Sequence, residues 1–263
     1  MSDFFKIATW NINSVRMRQE ALANWLHSNH IDVVLLQETK CQNEQFPEEI
    51  FSDLGYNCYI HGQKSYNGVA VFSKFPVDEI ITNFPSNPCP DEARFIEVRG
   101  SFPIGYSRII SVYVPNGGEV ESDKYHTKLK FLDSLKEYLN AREFDEKLII
   151  GGDFNVAPEE IDVYSAQALR GTTCFTDIER SKIRSILNSG LIDSARLLNP
   201  NLQEFSWWDY RAGCFQKDNG LRIDYILTSP NCASLIKECS VDKAERAKEK
   251  ASDHAPVVLS MLK

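Results

Sequence analysis

The sequence predicts a single-domain α/β protein built on two packed, mixed β-sheets with helices outside them. Two observations carry that expectation. Apolar runs rich in β-branched residues recur along the chain, separated by loops as well as by helical patterns, which is the order of mixed sheets and not of strict β-α-β alternation. No linker or low-complexity segment divides the 263 residues, a length at which α/β enzymes often form one unit around two sheets. The expected domain is therefore 1–263.

The elements follow in order. An apolar alternation opens the chain at Phe4, Phe5, Ile7 and Ala8. Further strands are expected at Asp32 to Leu36, Val69 to Phe72, Phe95 to Val98, Ile109 to Val114, Leu148 to Ile150, Ile223 to Leu227 and Val257 to Leu262, several of them buried. Helical spacing links Ala21, Leu22, Trp25 and Leu26, then Tyr125, Leu129, Leu132, Leu135 and Leu139, then Ile183, Ile186 and Leu187. The last helix is expected to start at a capping box, Thr176 with Glu179, and to stop at Gly190. Pro85 to Pro90 is a loop.

Composition narrows the function. Hydrophobic residues at 43% and charged residues at 25% are ordinary for a globular chain and set disorder aside. The formal charge of -8 argues against a protein that coats nucleic acid, because phosphate binding draws on clustered Lys and Arg. It leaves room for a local basic groove, and for carboxylates that hold a divalent cation. Seven cysteines without a C-x-x-C pair suggest neither a disulfide framework nor a zinc site, and a reducing cytoplasm fits best. The chain lacks a basic n-region, a signal-peptide core or a run long enough to span a bilayer, so it is expected to be soluble and unexported. No obligate protein partner is evident.

Two apolar runs end in the same way, with a carboxylate where burial stops: Leu35, Leu36, Gln37, Glu38 and Ile149, Ile150, Gly151, Gly152, Asp153. Thr9, Trp10 and Asn11 close the opening strand, and Ser252, Asp253 and His254 precede the last one. Strand ends carrying oxygen ligands in this way can converge on one hard cation. Singly, each is as ordinary as any turn-forming acid. Asp224, set inside Arg222, Ile223, Tyr225, Ile226 and Leu227, is less ordinary, because a carboxylate in an apolar strand needs a partner and an imidazole is a natural one. The segment Phe205 to Arg211 is aromatic beyond what a surface loop tolerates, and is either a hydrophobic plug or the wall of a pocket.

The stretches TWNINSVRMR, LLQETK, YNGVAVFSK, VYVPNGG, IIGGDFNVAP, FSWWDYR, GLRIDYIL and SDHAPV follow one another in order within a match between Ile7 and Leu262. In them the chain resembles the exonuclease III family of AP endonucleases, within the DNase I-like endonuclease/exonuclease/phosphatase superfamily. The resemblance implies a four-layer α/β sandwich and a Mg2+-dependent DNA phosphodiesterase of base excision repair, with Mn2+ able to substitute. Its implied substrates are double-stranded DNA with abasic sites or damaged 3' ends. The implied reactions are incision 5' to abasic sites, 3'-to-5' exonuclease action and 3'-end cleaning.

Roles follow from the same resemblance. Glu38 would bind the metal, with Asn11 and Asp253 either in direct contact or acting through water. Asp153 would orient or deprotonate the attacking water, and Asn155 would hold that water and a phosphate oxygen; both are also placed among the metal-binding set. Asp224 would pair with His254, whose ring stabilises charge on the phosphate, and Tyr113 would reach the same phosphate or the leaving group. Trp207, Leu221 and Ile223 would line a pocket for a flipped, base-less sugar. Lys40, Arg94, Asn116 and Lys124 would face DNA phosphates, and Arg16 and Arg18 lie where the chain would reach DNA. The charge-mixed run from Lys237 to Lys250 is assigned no DNA role. Two positions depart from some relatives: Glu119 stands where a basic side chain would meet DNA, and Asn13 where an aspartate would add charge near the metal. The same machinery also serves RNA, phosphoinositide and sphingomyelin chemistry in the superfamily, and a non-catalytic DNA-binding homologue is the reading from another class.

Overall fold

The structure, a computed structural model, describes residues 3–143 and 145–263. Its strands are β1 (Phe4–Asn11), β2 (Val33–Gln37), β3 (Asn57–His61), β4 (Val69–Ser73), β5 (Glu79–Ile81) and β6 (Phe95–Phe102), then β7 (Gly105–Tyr113), β8 (Lys147–Asp153), β9 (Ile192–Asp193), β10 (Asp224–Thr228), β11 (Ile236–Val241) and β12 (Val257–Leu262). They form two six-stranded sheets, in the orders β11-β12-β1-β2-β4-β3 and β5-β6-β7-β8-β10-β9. Each sheet holds one parallel pair, β1 with β2 and β7 with β8, among antiparallel neighbours.

A parallel pair needs a long crossover, and helices supply it. The first five α-helices are α1 (Val15–Asn29), α2 (Glu48–Ser52), α3 (Asp123–Asn140), α4 (Ala166–Leu169) and α5 (Asp177–Asn188). α1 joins β1 to β2, and α3 joins β7 to β8. The period-two alternation of strand side chains then builds the layers. Val33 and Leu35 of β2 face the core between the sheets, while Val34 and Leu36 pack with Leu22 and Leu26 of α1. In β8, Ile149 joins the central core, whereas Leu148 and Ile150 pack with Leu132, Leu135 and Ile183 of α3 and α5. The order is helix, sheet, sheet, helix, so the four-layer expectation holds. α5 starts at the expected capping box, with Thr176 Oγ1 accepting from the Glu179 amide and Glu179 Oε2 from that of Thr176 at 3.0 Å.

The sheets come close together near the end of β8. A Cβ on Gly151 would stand 2.7 Å from Leu35 Cδ1 and 3.2 Å from Thr9 Cβ, both of the other sheet. Just below the edge, Gln37 Nε2 donates to Ser111 Oγ at 3.0 Å and to Thr9 Oγ1 at 3.1 Å, and Ser111 Oγ donates to the Leu36 carbonyl at 3.0 Å. These buried polar groups satisfy one another across the gap and tie β2 to β7.

Four strands were not expected. β3 is at most half-buried, β5 is largely exposed, and β9 has two residues, so none shows a long apolar run. β11 lies partly within the charged Lys237–Lys250 run, where only Ile236 and Cys239 turn inward. Two local expectations are corrected. The strand placed at Ile223 begins at Asp224, and α3 fully buries Lys128 and not Leu129. No described helix is long and apolar enough to cross a membrane.

Gly152 gives a test of this packing. A Cβ there would fall 1.9 Å from the Val112 carbonyl oxygen, a backbone atom that cannot step aside. Gly152→Ala is expected to destabilise the protein by about 3 kcal/mol in urea unfolding; wild-type stability would show that β8 can shift freely.

Candidate active site

The carboxyl ends of both parallel pairs lie at one edge of the sandwich. Asn11 ends β1, Glu38 follows β2, Tyr113 ends β7 and Asp153 ends β8. Antiparallel strands start where these finish: Asp224 opens β10 directly opposite Asp153, and His254 precedes β12. Six polar side chains distant in sequence therefore meet at this edge, four of them (Glu38, Tyr113, Asp153 and His254) lining a cleft of about 260 Å³ together with Asn155.

Several of these residues leave their strands through left-handed backbone, with φ of 51° at Glu38, 51° at Asn155 and 45° at Asn13. That conformation is unfavourable for residues other than glycine, and main-chain bonds hold it. The Ser14 amide donates to the Glu38 carbonyl at 2.7 Å, and the Asn155 amide to Asp153 Oδ1 at 2.9 Å.

Asn11 Nδ2 donates to Glu38 Oε1 at 2.8 Å and to Asp153 Oδ2 at 3.0 Å, and Tyr113 Oη donates to Glu38 Oε1 at 2.9 Å. Lys40 Nζ sits 2.7 Å from Glu38 Oε2 and donates to Asn13 Oδ1 at 2.7 Å. Burial pushes the Glu38 carboxyl up, but the hydrogen bonds from Asn11 and Lys40 and the ammonium charge outweigh it and hold it low. Burial raises the Tyr113 phenol, helped by the charges of Glu38 and Asp153, so it stays a donor.

Asp153, Asp224 and His254 are all buried. Asp224 Oδ2 lies 2.9 Å from His254 Nδ1 and accepts from Ser206 Oγ at 2.6 Å, while His254 Nε2 lies 3.7 Å from Asp153 Oδ2. Burial would lower the imidazole, yet Asp224 and Asp153 lift it to about 10, so the ring is an imidazolium at neutral pH. Burial drives Asp153 up to about 7, against the pull of His254 and with the push of Asp224. The chain thus prepares a carboxyl that titrates near neutrality beside a fixed cation, the pairing acid–base chemistry calls for.

Glu38, Asp153 and His254 place possible ligand atoms within 4.8 Å of one another. An imidazolium has no free lone pair, so the oxygens of Glu38 and Asp153 are left, and they suit a hard divalent cation that keeps much of its water. The other residues expected to bind metal are hydrogen-bonded to neighbouring groups. Asn11 Oδ1 accepts from the Asn13 amide at 3.1 Å, which turns its NH2 toward the carboxylates. Asp253 Oδ1 accepts from Asn13 Nδ2 at 2.9 Å and Oδ2 from Trp207 Nε1 at 3.0 Å. The His254 charge and these bonds overcome the effect of burial and hold the Asp253 carboxyl below its usual range. Asn155 Nδ2 donates to the Val114 carbonyl and its Oδ1 accepts from Asn116, both at 3.0 Å.

The aromatic segment divides between its two readings. Trp208 is fully buried against Phe205 and Phe215, which is the plug, whereas Trp207 is part-exposed and lines the cleft with Leu221 and Ile223. A wider groove of about 540 Å³ shares Tyr113 and Asn116 with the cleft and carries Arg94 and Lys124. Arg94 stacks over the Tyr113 ring at 4.8 Å and pairs with Glu92. Arg16 is exposed, and the part-exposed Arg18 bonds to the carbonyls of Ile12, Asn13, Lys250 and Ala251, so it clamps the first loop. Two supporting residues went unforeseen. Ser206 has no signal beyond a small hydroxyl among aromatics, while Lys128 falls three residues after Tyr125 and four before Leu132, a spacing that marks the inner face of α3.

Comparison with known proteins places the whole chain. Residues 8–254 match the Endonuclease/Exonuclease/phosphatase family. The chain is 35% identical over 262 residues to exodeoxyribonuclease III of Haemophilus influenzae, covering 96% of this chain and 98% of that one. It is 32% identical over 262 residues to an exodeoxyribonuclease of Bacillus subtilis, with 97% and 98% covered. An AP endonuclease structure from Archaeoglobus fulgidus superposes with a TM-score of 0.93 at 36% identity, over 98% of this chain and 99% of that one. A 3' phosphatase from Neisseria bound to a product DNA hairpin gives 0.93 at 35%, again over 98% and 99%.

The elevated His254 pKa has a definite sign. Because it lies above the ordinary 6.5, its contribution to stability is complete below about 6.5 and is lost as pH climbs through about 10. Asp224→Asn removes the main charge that holds the proton, and is expected to lower the His254 midpoint by at least about one unit in an NMR titration of the metal-free protein. An unmoved midpoint would mean that Asp224 does not set the charge on the ring.

Proposed function

The chain belongs to the endonuclease/exonuclease/phosphatase family, in its exodeoxyribonuclease III branch, and from that premise we propose a Mg2+-dependent DNA phosphodiesterase acting in base excision repair. It is a hydrolytic nuclease working as one unit over residues 1–263. Its proposed reactions are incision 5' to abasic sites, 3'-to-5' exonuclease action on duplex DNA and 3'-end cleaning. The observation that supports this most is the Asp224-held imidazolium of His254 set 3.7 Å from Asp153, with Glu38 beside them.

Hydrolysis of a phosphodiester needs an in-line water, neutralisation of the non-bridging oxygens and help for the departing 3' oxygen. Asp153, titrating near neutrality, takes the proton of the attacking water or orients it. Asn155 holds that water and one phosphate oxygen from the left-handed turn after β8. His254, charged and pinned at Nδ1, offers Nε2–H to the charge that grows on phosphorus-bound oxygen. Tyr113, kept protonated, donates to the phosphate or to the leaving oxygen. A magnesium ion, or manganese in its place, held by Glu38 and Asp153 with Asn11 and Asp253 acting through water, would supply Lewis-acid stabilisation of the same charge.

Substrate choice rests on the apolar wall. Trp207, Leu221 and Ile223 face the reacting groups across a narrow cleft, which accepts a flipped sugar without its base and rejects a full nucleotide by size. Arg94, Asn116, Lys40 and Lys124 are the proposed backbone contacts that set register.

Duplexes with an internal abasic site, a 3' phosphate or a recessed 3' end are all expected to be cleaved with magnesium and spared after chelation. Asp153→Asn should reduce turnover about 1,000-fold. Cleavage of none of the three, or activity surviving chelation, would sink the assignment. Trp207→Ala should cut abasic-site incision by roughly 10- to 100-fold through lost apolar contact while shifting Tm by only a few degrees; equal losses of activity and stability would return Trp207 to the plug.

A further inference from the structure

We propose that Lys128, on a helix behind the cleft and out of reach of any substrate, is a positioning residue that fixes the main chain of Asn155 and Asn116 for catalysis. The inference rests on the phosphodiesterase reading. Lys128 is 0% exposed, as is Glu179. Its ammonium has three N–H donors and three oxygens to receive them: the Asn155 carbonyl at 2.7 Å, the Asn116 carbonyl at 3.0 Å and Glu179 Oε1. Glu179 Oε1 also accepts from the Cys174 amide at 3.1 Å. One lysine thus gathers the segment after β7, the segment after β8 and the turn before α5, all of which line the cleft through Asn116, Asn155 and Cys174.

Stability alone does not explain such a pair. Desolvating two charges costs about as much as their attraction returns, and apolar residues of the same volume pack as well or better. What apolar residues cannot do is donate to carbonyls. Asn116 and Asn155 lie outside the strand ladders, and Asn155 is held left-handed at φ 51°, so their carbonyls need a donor from beneath. The seat is shaped for the lysine: a Cβ on Gly117, itself at φ 94°, would stand 3.0 Å from Lys128 Cδ. With the carbonyls fixed from behind, Asn116 Nδ2 meets Asn155 Oδ1 in front at 3.0 Å, and the Asn155 side chain keeps one direction. A shift of about 1 Å at such a group costs on the order of 100-fold in rate.

The test uses Lys128→Met combined with Glu179→Gln, which removes both buried charges together, beside Glu179→Gln alone and the exposed-site control Lys130→Met. The double variant is expected to fold, to lose roughly 10- to 100-fold in kcat with KM little changed, and to lose hydrogen-exchange protection of the Asn155 side-chain amide. Glu179→Gln alone keeps the ammonium on both carbonyls and should lose at least about fivefold less than the double variant. A folded double variant with wild-type kcat and a protected Asn155 amide would overturn the proposal. So would failure of the double variant to fold while Glu179→Gln folds, because Lys128 would then serve stability. Wild-type protein that cleaves none of the duplexes would count against the phosphodiesterase reading, and the Asn155 amide would still decide the role of Lys128.

Discussion

Two sheets can share one reaction centre only if their strand ends come within side-chain reach, and the distance between β8 and the β1–β2 pair sets that reach. Gly151 removes the side chain that would hold the sheets apart, and the Thr9, Gln37 and Ser111 bridge fixes how they slide. Once they are seated, topology does the rest. Each sheet contributes one parallel pair, and both pairs point their carboxyl ends the same way, where loops are free to carry function. Asn11 and Glu38 arrive from one sheet, Tyr113 and Asp153 from the other, and the antiparallel neighbours return Asp224 and His254 to the same edge.

Concentrating charge at that edge is costly, and the chain offsets the cost locally. Glu38, Asp153, Asp224 and Asp253 form an anionic cluster, opposed by the imidazolium of His254 and the ammonium of Lys40. Every one of these carboxylates accepts at least one hydrogen bond from a neutral group, from Asn11, Tyr113, Ser206, Asn13 or Trp207. The cluster is still more negative than positive, the condition in which a divalent cation and a phosphate are taken together. The whole-chain charge of -8 is therefore no obstacle to an anionic substrate, because the local balance is what the substrate meets.

Much of this was legible in the sequence, and the reason differs by residue. β2 and β8 are buried on both faces and announce themselves as unbroken apolar runs, which is why the carboxylates at their ends stood out. Asp224 was legible because its apolar neighbours demanded a partner. β3 and β5 were not, since they are only partly buried, and β11 was hidden in a charge-rich run by its exposed Lys237 and Glu238. Roles that depend on three-dimensional bookkeeping were also out of reach. The carbonyl acceptors of Arg18 come from segments distant in sequence, and while the spacing of Lys128 marks the inner face of its helix, nothing in the sequence names Glu179 as its partner. Trp207 and Trp208 are neighbours of the same type, and only the strand-like alternation of the segment sends one to the cleft and the other inside.

That segment is sewn to the site by its backbone. The Trp207 amide and carbonyl both bond to Leu221 at 2.9 Å, the Trp208 amide donates to the Asp253 carbonyl at 3.0 Å, and the Ala255 amide to that of Ser206 at 2.7 Å. The apolar wall of the cleft and the loop that carries the imidazolium are thus joined by main-chain bonds into one contiguous patch. A local opening of that patch would displace His254 together with the wall beside it. For a hydrolytic nuclease, the failure mode of such an opening is silence.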